Sequence, residues 1–278
     1  RHIAEALEVP FGFSAHAADL WLRGNRLEPE ELGALGQHPL CKTVAVIGSR
    51  HRDYMVWCGV PEEKIIVTPN CVARSHLPPP VPRSGKSLRT VVTVGRPVAK
   101  KGYYTAVDAV RMLRLRGLAV ELEVIGGADT SAPQGQAFAE YARQFDFVRA
   151  EGMLPNHEVL ERIARADALV ASCMVAENGD SDGIPTVLPE AMLLRVPVVA
   201  TDVGSISDLV VDRETGFLCR AGDAAALAQK LNELNTVVQD RGPLENLLEA
   251  AARRAGRHDV AASINVLVAH LEKALGRI

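Results

Sequence analysis

Thr90-Val91-Val92-Thr93-Val94-Gly95-Arg96-Pro97-Val98-Ala99-Lys100-Lys101-Gly102 runs from a short apolar strand through a basic turn to a helix opening at Tyr103. The strand is apolar without alternation, the pattern of a strand covered on both faces. The same unit recurs downstream. Ala119 to Ile125 is a second strand and Gln134 to Phe145 a second helix, after a first helix from Tyr103 to Arg116. Ala168-Leu169-Val170-Ala171 and Val196-Pro197-Val198-Val199-Ala200 are further apolar strands with helical segments between and after them. Strands alternating with amphipathic helices predict an α/β fold, a doubly wound, Rossmann-like parallel sheet. Ligands of such sheets bind beyond the carboxyl ends of the strands, which directs attention to the loops at Gly95, Gly126, Gly152 and Cys173.

Upstream the pattern changes. Residues 10 to 77 hold short strands such as Lys42-Thr43-Val44-Ala45-Val46-Ile47 and Lys64-Ile65-Ile66-Val67-Thr68, interrupted by Gly59-Val60-Pro61 and Pro69-Asn70. Leu77-Pro78-Pro79-Pro80-Val81-Pro82 then forms a stiff, extended connector. The chain divides into a first part at 1–77, a linker at 78–88, the doubly wound part at 89–256, and a C-terminal helix at 257–278. That helix carries Ile264, Leu267, Val268, Leu271 and Leu275 on one stripe and is expected to pack back on the fold.

Bulk properties remove several classes. The chain has 278 residues, a formal net charge of -3 and only 4% aromatic residues, so nothing points to nucleic acid or a base-stacking surface. No apolar run approaches the roughly 18 residues that span a bilayer. The five cysteines, Cys41, Cys58, Cys71, Cys173 and Cys219, are odd in number and lack zinc-site spacing, as expected of reduced thiols in the cytoplasm. The chain opens Arg1-His2-Ile3-Ala4-Glu5, without Met or the regions of a signal peptide, as if the text began within a domain.

Two segments carry chemistry. Arg96, Lys100 and Lys101 place three cations at a strand-to-helix turn; Arg offers a fork of donors and Lys a mobile point charge, a combination suited to a diphosphate. A solvated basic loop would look similar if it stood alone. The second segment is Glu177-Asn178-Gly179-Asp180-Ser181-Asp182-Gly183-Ile184-Pro185-Thr186-Val187-Leu188-Pro189-Glu190-Ala191-Met192. It sets Asp182 and Glu190 eight positions apart across a glycine-bearing turn, giving amides for an anion and carboxylates for hydroxyls. Phosphate donors and hydroxyl acceptors at one sheet edge suit a ligand that is both nucleotide and sugar.

Taken in order, these segments resemble the family 4 glycosyltransferases of the GT-B fold, over nearly all of the chain. The matching pieces are Gly-Arg-x4-Lys-Gly at Gly95 to Gly102, Gly-x-Pro-x4-Glu at Gly183 to Glu190, and an acid eight residues before that Glu. To these are added Phe13-Ser14-Ala15-His16-Ala17-Ala18-Asp19, Ile66-Val67-Thr68-Pro69-Asn70, Pro197 to Gly204, Thr215-Gly216-Phe217-Leu218 and Gly222-Asp223. The resemblance implies a nucleotide-sugar donor domain at 89–256 and the C-terminal part of an acceptor domain at 1–77. It implies retaining transfer of a sugar from a UDP- or GDP-sugar to an acceptor hydroxyl, with no cofactor and no required metal. Arg96 and Lys101 would hold the diphosphate, Glu190 the ribose hydroxyls and Asp182 the sugar hydroxyls. The N–H groups around Gly183, Ile184 and Pro185 would meet the sugar or phosphate, with Gly95 in the phosphate turn and Gly152 and Met153 near the base. His16 would reach the donor sugar from the first part, although an isolated strand-end histidine is as readily satisfied by a backbone carbonyl. Trp21 and Trp57 are expected to pack rather than to serve as sugar platforms.

The chain departs from the family pattern at several places. Asp182 stands where the family has Glu, one methylene shorter in reach, and Asp180 is a possible substitute at the wrong spacing. Cys71 and Ala73 replace Gly and Asp after Pro69-Asn70, and Ser205 and Ser207 interrupt a Gly-Gly-Ile-Pro-Glu stretch. A complete enzyme of this fold has a further stretch ahead of the His16 strand, including a glycine-rich loop near the acceptor. The expected partners are a nucleotide-sugar donor and a saccharide or lipid-linked acceptor in exopolysaccharide or glycolipid assembly. The expected location is the cytoplasm or the inner face of the membrane, any membrane association running through that upstream region. A second expectation is a remnant that binds nucleotide sugars without turning over. Epimerases and phosphorylases of the same fold are disfavoured by the Asp182 to Glu190 spacing and by the lack of a pyridoxal-lysine motif.

Overall fold

The protein was analysed as a computed structural model that describes residues 4, 7–16, 20–21, 27–82 and 87–276. Nine strands form two parallel sheets among the described residues. The smaller has the order β1-β2-β3, with β1 Phe11–Ala15, β2 Cys41–Val46 and β3 Ile65–Val67. The larger contains β4 (Thr90–Val94), β5 (Glu121–Ile125), β6 (Val148–Glu151), β7 (Ala168–Ala171), β8 (Val198–Thr201) and β9 (Phe217–Cys219). Its order is β6-β5-β4-β7-β8-β9. Helices α1 (Pro29–Gln37) and α2 (Ser49–Trp57) accompany the smaller sheet. With the larger go α3 (Tyr103–Leu115), α4 (Pro133–Ala142), α5 (Asn156–Arg165), α6 (Val187–Leu193), α7 (Ala224–Val237) and α8 (Arg241–Ala255). Helix α9 (Val260–Ala274) follows.

The larger sheet is doubly wound because its strands are apolar on both faces. Val91, Val124, Val170 and Val199 turn to one side, where Val107 and Val110 of α3 and Leu227 and Leu231 of α7 bury them. Their neighbours Val92, Ile125, Leu169 and Val198 turn to the other, against Leu160 and Ile163 of α5, Leu188 and Met192 of α6 and Ala251 of α8. Full burial of each such aliphatic side chain contributes about 1.5–3 kcal/mol before conformational entropy is counted.

Strand order reverses at β4, the topological switch point of such a sheet. There β4 pairs with β5 over its whole length, to Val94 opposite Ile125, but with β7 only at Val91 and Val92. Beyond Leu169 the β4–β7 ladder ends, and the loops that follow the two strands lie at the carboxyl edge of the sheet.

Element ends shift from the sequence expectation where turns intervene. Strand β5 starts at Glu121 rather than Ala119, because the Val120 N–H donates to the Leu118 carbonyl in a tight turn. Helix α4 stops at Ala142 rather than Phe145, its last residues drawn into bonds from the Gln144 and Phe145 N–H groups to Tyr141 and Ala142. Pro78 to Pro82 has no regular structure, and linker residues 83–86 lie outside the described residues. Two packing expectations are corrected. Helix α9 forms as expected, but its buried residue is Ser263, and Ile264, Val268 and Leu275 of the expected inward stripe stand exposed. Trp57 is 70% exposed at the end of α2, whereas Trp21 is half-buried and edge-on to Tyr54 at 4.7 Å.

The smaller sheet has one compact core around Val44, Val46, Met55 and Val60. It meets the larger unit along a polar seam. The Ser49 N–H and Oγ, at the start of α2, both donate to the Asp208 carboxylate at 2.6 Å. Ser205 Oγ accepts from the Arg50 N–H at 3.3 Å and lies 3.3 Å from His51 Nδ1, and Arg50 reaches Asp202 at 3.1 Å. The cysteines are all free; Cys71, beside the linker, is exposed, while Cys41, Cys173 and Cys219 are buried.

Candidate active site

The sheet edge at the switch point is built by the loops after β4 and β7. Gly95 continues β4 with a φ of 155°, and a Cβ there would fall 2.8 Å from Lys101 Cε. The turn ends at Gly102, whose φ of 63° is left-handed and whose added Cβ would lie 1.9 Å from the Ser172 carbonyl oxygen. Both positions therefore require glycine. Ser172, just past β7, donates through Oγ to the carbonyls of Lys101 and Gly102 at 3.0 and 2.9 Å. The Met174 N–H donates to the Lys100 carbonyl at 2.9 Å. The two loops are thereby fastened to each other.

These bonds bring the basic turn to the acidic segment. Lys101 Nζ donates to Asp182 Oδ2 at 2.8 Å, and Lys100 Nζ donates to Asp180 Oδ1 at 2.9 Å while lying 3.6 Å from Asp182 Oδ1. Burial pushes the Asp182 carboxyl up, but the Lys101 ammonium, with Lys100 behind it, outweighs burial and holds it below the usual range. Asp182 is therefore a carboxylate at neutral pH. Cys173 Sγ donates to Asp182 Oδ2 at 3.4 Å, and burial followed by the Asp182 charge pushes that thiol up to about 12. Tyr103 adds a hydroxyl that is buried without a hydrogen-bond partner among the described residues and would lie 3.0 Å from a Cβ on Gly95. Burial, then the Cys173 and Asp182 charges, raise its pKa.

Glu190 lies on α6, held by the buried Leu188, Ala191 and Met192. It stays outside the lysine–aspartate network, and burial alone pushes its carboxyl up to about 7. Its proton is therefore exchanged near neutrality, in contrast to Asp182.

Of the residues singled out in the sequence, Lys101 and Asp182 are brought into direct contact. Arg96 is exposed on the same turn, with no ion pair among the described residues. Gly95 connects to the end of β6: the Gly126 N–H donates to the Gly152 carbonyl at 3.0 Å, and a Cβ on Gly126 would lie 2.3 Å from the Gly95 oxygen and 3.3 Å from Met153 Sδ. Met153 is exposed there. Gly183 and Ile184 are buried against the smaller unit, where a Cβ on Gly183 would stand 2.2 Å from Ile47 Cδ1 and 3.0 Å from His51 Cε1. Pro185 is buried beside them and accepts from the Leu188 N–H at 3.0 Å. His16 directly follows β1, is exposed, and its charge bears on His51; Ala17 to Asp19 of the same motif lie outside the described residues.

The structure also shows participants that the motifs did not reveal. Lys100 belongs to the basic turn by sequence, yet it is buried and turned inward to Asp180 and Asp182. His51 is fully buried, and burial followed by the His16 charge lowers it to about 4 against the opposing pull of Asp208. Tyr103 and Cys173 follow a glycine turn and an apolar strand end, and that position at the carboxyl edge was the available signal. Among the described residues no group of three or more His, Cys, Asp or Glu side chains could hold a metal ion. No described helix is long and apolar enough to cross a membrane.

A family model described as "Glycosyl transferases group 1" matches residues 88–236, more than half of the chain. Among individual proteins, the chain is 31% identical over 198 residues to the amylovoran biosynthesis glycosyltransferase AmsK of Erwinia amylovora, covering 68% of this chain and 46% of AmsK. It is 32% identical over 173 residues to WcaL of Escherichia coli (strain K12), provisionally named a colanic acid biosynthesis glycosyltransferase, covering 62% of this chain and 42% of WcaL. The chain spans about half the length of the curated relatives it matches. In architecture it resembles Anabaena Alr3699/HepE, crystallised with UDP, at a TM-score of 0.78 and 18% identity, over 97% of this chain and 74% of that one.

Proposed function

This chain belongs to the glycosyl transferases group 1 family and has the GT-B fold, and we propose that it takes part in moving a sugar from a nucleotide-diphosphate donor to an acceptor hydroxyl with retention at the anomeric carbon. The observation that carries the proposal is the Lys101–Asp182 contact at the switch-point edge of the sheet, with Arg96 on the same turn. Arg96 and Lys101 take the diphosphate, Asp182 the sugar hydroxyls, and the Gly183 and Ile184 amides the sugar or its phosphate, in a turn shaped by Pro185. Glu190 accepts from the ribose, Gly95 shapes the phosphate turn, Gly152 and Met153 border the base, and His16 approaches the sugar from the smaller unit.

Breaking a glycosyl phosphate leaves positive charge on the anomeric carbon and negative charge on the departing diphosphate. Fixed cations at the diphosphate stabilise that separation more than they stabilise the ground state. The reaction in this form uses no metal and no cofactor, because the lysine and arginine supply the counter-charge. Asp182, held ionised by Lys101, carries the charge that complements the anomeric carbon. HepE has been crystallised with UDP-glucose, which favours a uridine nucleotide over GDP. The names of AmsK and WcaL favour exopolysaccharide assembly, and we place the work in the cytoplasm, near a membrane face that presents a lipid-linked acceptor.

Calorimetry with UDP- and GDP-sugars, followed by a product assay on the same sample, tests the proposal. Binding together with transfer is expected. Binding without transfer leaves the chain a nucleotide-sugar-binding protein, and no binding of either donor overturns both readings.

A further inference from the structure

A cavity of about 450 Å³ lies on the seam between the two sheets, apart from the lysine–aspartate network. Its apolar wall comes from three directions: Ile47 just past β2 and Val67 at the end of β3, Ile184 of the donor loop, and Ala262 and Val266 of α9. Its polar wall is cationic, with Arg52, Arg254 and Arg257. The volume is within the range of small-molecule sites, roughly 300–1,000 Å³.

The charges there are unequally compensated. Asp208, the acid of the lining, has its carboxylate taken up by the Ser49 N–H and Oγ at 2.6 Å. Arg52 has Asp53 and Glu62 at 3.5 Å. Arg254 donates from Nε to the Asp208 carbonyl at 2.9 Å, and neither it nor Arg257 has a carboxylate partner among the described residues. His258 is tied by Nδ1 to the Asn70 carbonyl at 3.0 Å, and burial lowers its pKa, so it adds no cation at neutral pH. Two guanidinium groups thus face the chamber without a carboxylate ion-pair partner among the described residues, the lining carboxylate of Asp208 being turned to Ser49. A guanidinium fork matches phosphate oxygens, and the aliphatic wall suits a hydrocarbon.

We propose that this cavity binds an amphiphilic phosphate, a phosphate group carried on an apolar chain, with Arg254 and Arg257 on the phosphate and Ile47, Val67, Ala262 and Val266 along the chain. The occupant touches both sheets and Ile184, so it fixes the smaller unit against the donor loop. The site is independent of the glycosyl-transfer proposal, because its test is binding alone.

The probes are octyl phosphate, inorganic phosphate and octanol, titrated calorimetrically into the whole chain. Octyl phosphate is expected to saturate one site, with inorganic phosphate and octanol each at least about tenfold weaker. Arg257→Gln, on an exposed side chain, should weaken octyl phosphate roughly tenfold and Arg257→Lys should recover part of the loss. Ala262→Phe, which narrows the apolar wall, should weaken octyl phosphate and leave inorganic phosphate unchanged. An unaltered thermal midpoint in each variant shows that the fold is intact. Sedimentation with phosphatidylcholine vesicles, with and without phosphatidic acid, separates the sources. Capture that depends on phosphatidic acid and on Arg257 identifies a lipid headgroup, and octyl phosphate binding without such capture identifies a soluble phosphate ester. Absence of saturable octyl phosphate binding, equal affinity for inorganic phosphate, or affinity unchanged in both Arg257→Gln and Ala262→Phe overturns the proposal.

Discussion

The six-stranded unit and the three-stranded unit are built from the same parallel-strand grammar but are stabilised differently. In the larger, β4, β7 and β8 send successive side chains to two opposed cores. In the smaller, β1 alternates exposed and covered positions, and the described residues form one core. The smaller unit then leans on the larger through hydrogen bonds, with Ser49 on Asp208 and His51 on Ser205. On the proposed reading the larger unit carries the diphosphate-binding chemistry, while the smaller presses on it at Gly183.

The strongest attempt to break that division is Arg96→Ala or Lys101→Ala. If the larger unit owns the diphosphate site, either variant should lose about 10²-fold or more in transfer rate, with donor affinity falling in a calorimetric titration. Arg96→Ala should also leave the thermal midpoint in place, because the side chain is exposed. Retained donor affinity in Arg96→Ala would move the phosphate site elsewhere.

A second test sharpens the role of pH within the larger unit. Burial raises the Glu190 carboxyl to about 7, and in the proposed donor complex its ionised form accepts a ribose hydroxyl hydrogen more strongly than its neutral form does. Donor affinity should therefore rise about tenfold between pH 6 and 8, and Glu190→Gln should flatten that rise. The sign for stability is opposite: a raised carboxyl favours folding below the unfolded value of 4.5, and the benefit is lost as pH rises through 7. Glu190→Gln should remove that loss in denaturant titrations at pH 5 and 8.

The seam itself is probed by Gly183→Ala. Its methyl group would meet Ile47 Cδ1 at 2.2 Å, costing about 1–3 kcal/mol in chemical unfolding unless the units separate. Ile47→Ala in the same chain should return part of the loss, and purely additive effects would mean that the two residues do not meet. The smallest effect is expected from Asp208→Ala, which removes the carboxylate that caps α2 across the seam. About 1 kcal/mol should be lost, with faster proteolysis near the linker.

The larger unit was more legible in sequence because its signals are local. Thr90 to Val94 is read as a strand from its own side chains, and Gly95 and Gly102 mark turns that only glycine allows. The contact between Lys101 and Asp182 was expected only as two sites on one edge; the hydrogen bond itself comes from Ser172 fastening the loops. Lys100 could not be told from Lys101 by residue type, since its inward turn depends on Asp180 lying opposite. The seam was illegible for a simpler reason: Ser49 and Asp208 are 159 positions apart, and no spacing rule connects them. The α9 stripe misled in part: Leu267 and Leu271 are half-buried, but helical periodicity alone does not tell that Ile264, Val268 and Leu275 stand exposed.

The distribution of the thiols has a practical consequence. Burial raises the pKa of Cys41, Cys58, Cys173 and Cys219, the last two to about 12 and about 11, so few are thiolates at neutral pH. Cys71 is exposed and sits just before the proline-rich connector between the two units. A single maleimide dye should therefore attach there in the unmodified chain. The native sequence thus carries its own attachment point for an optical reporter beside the connector between the two units.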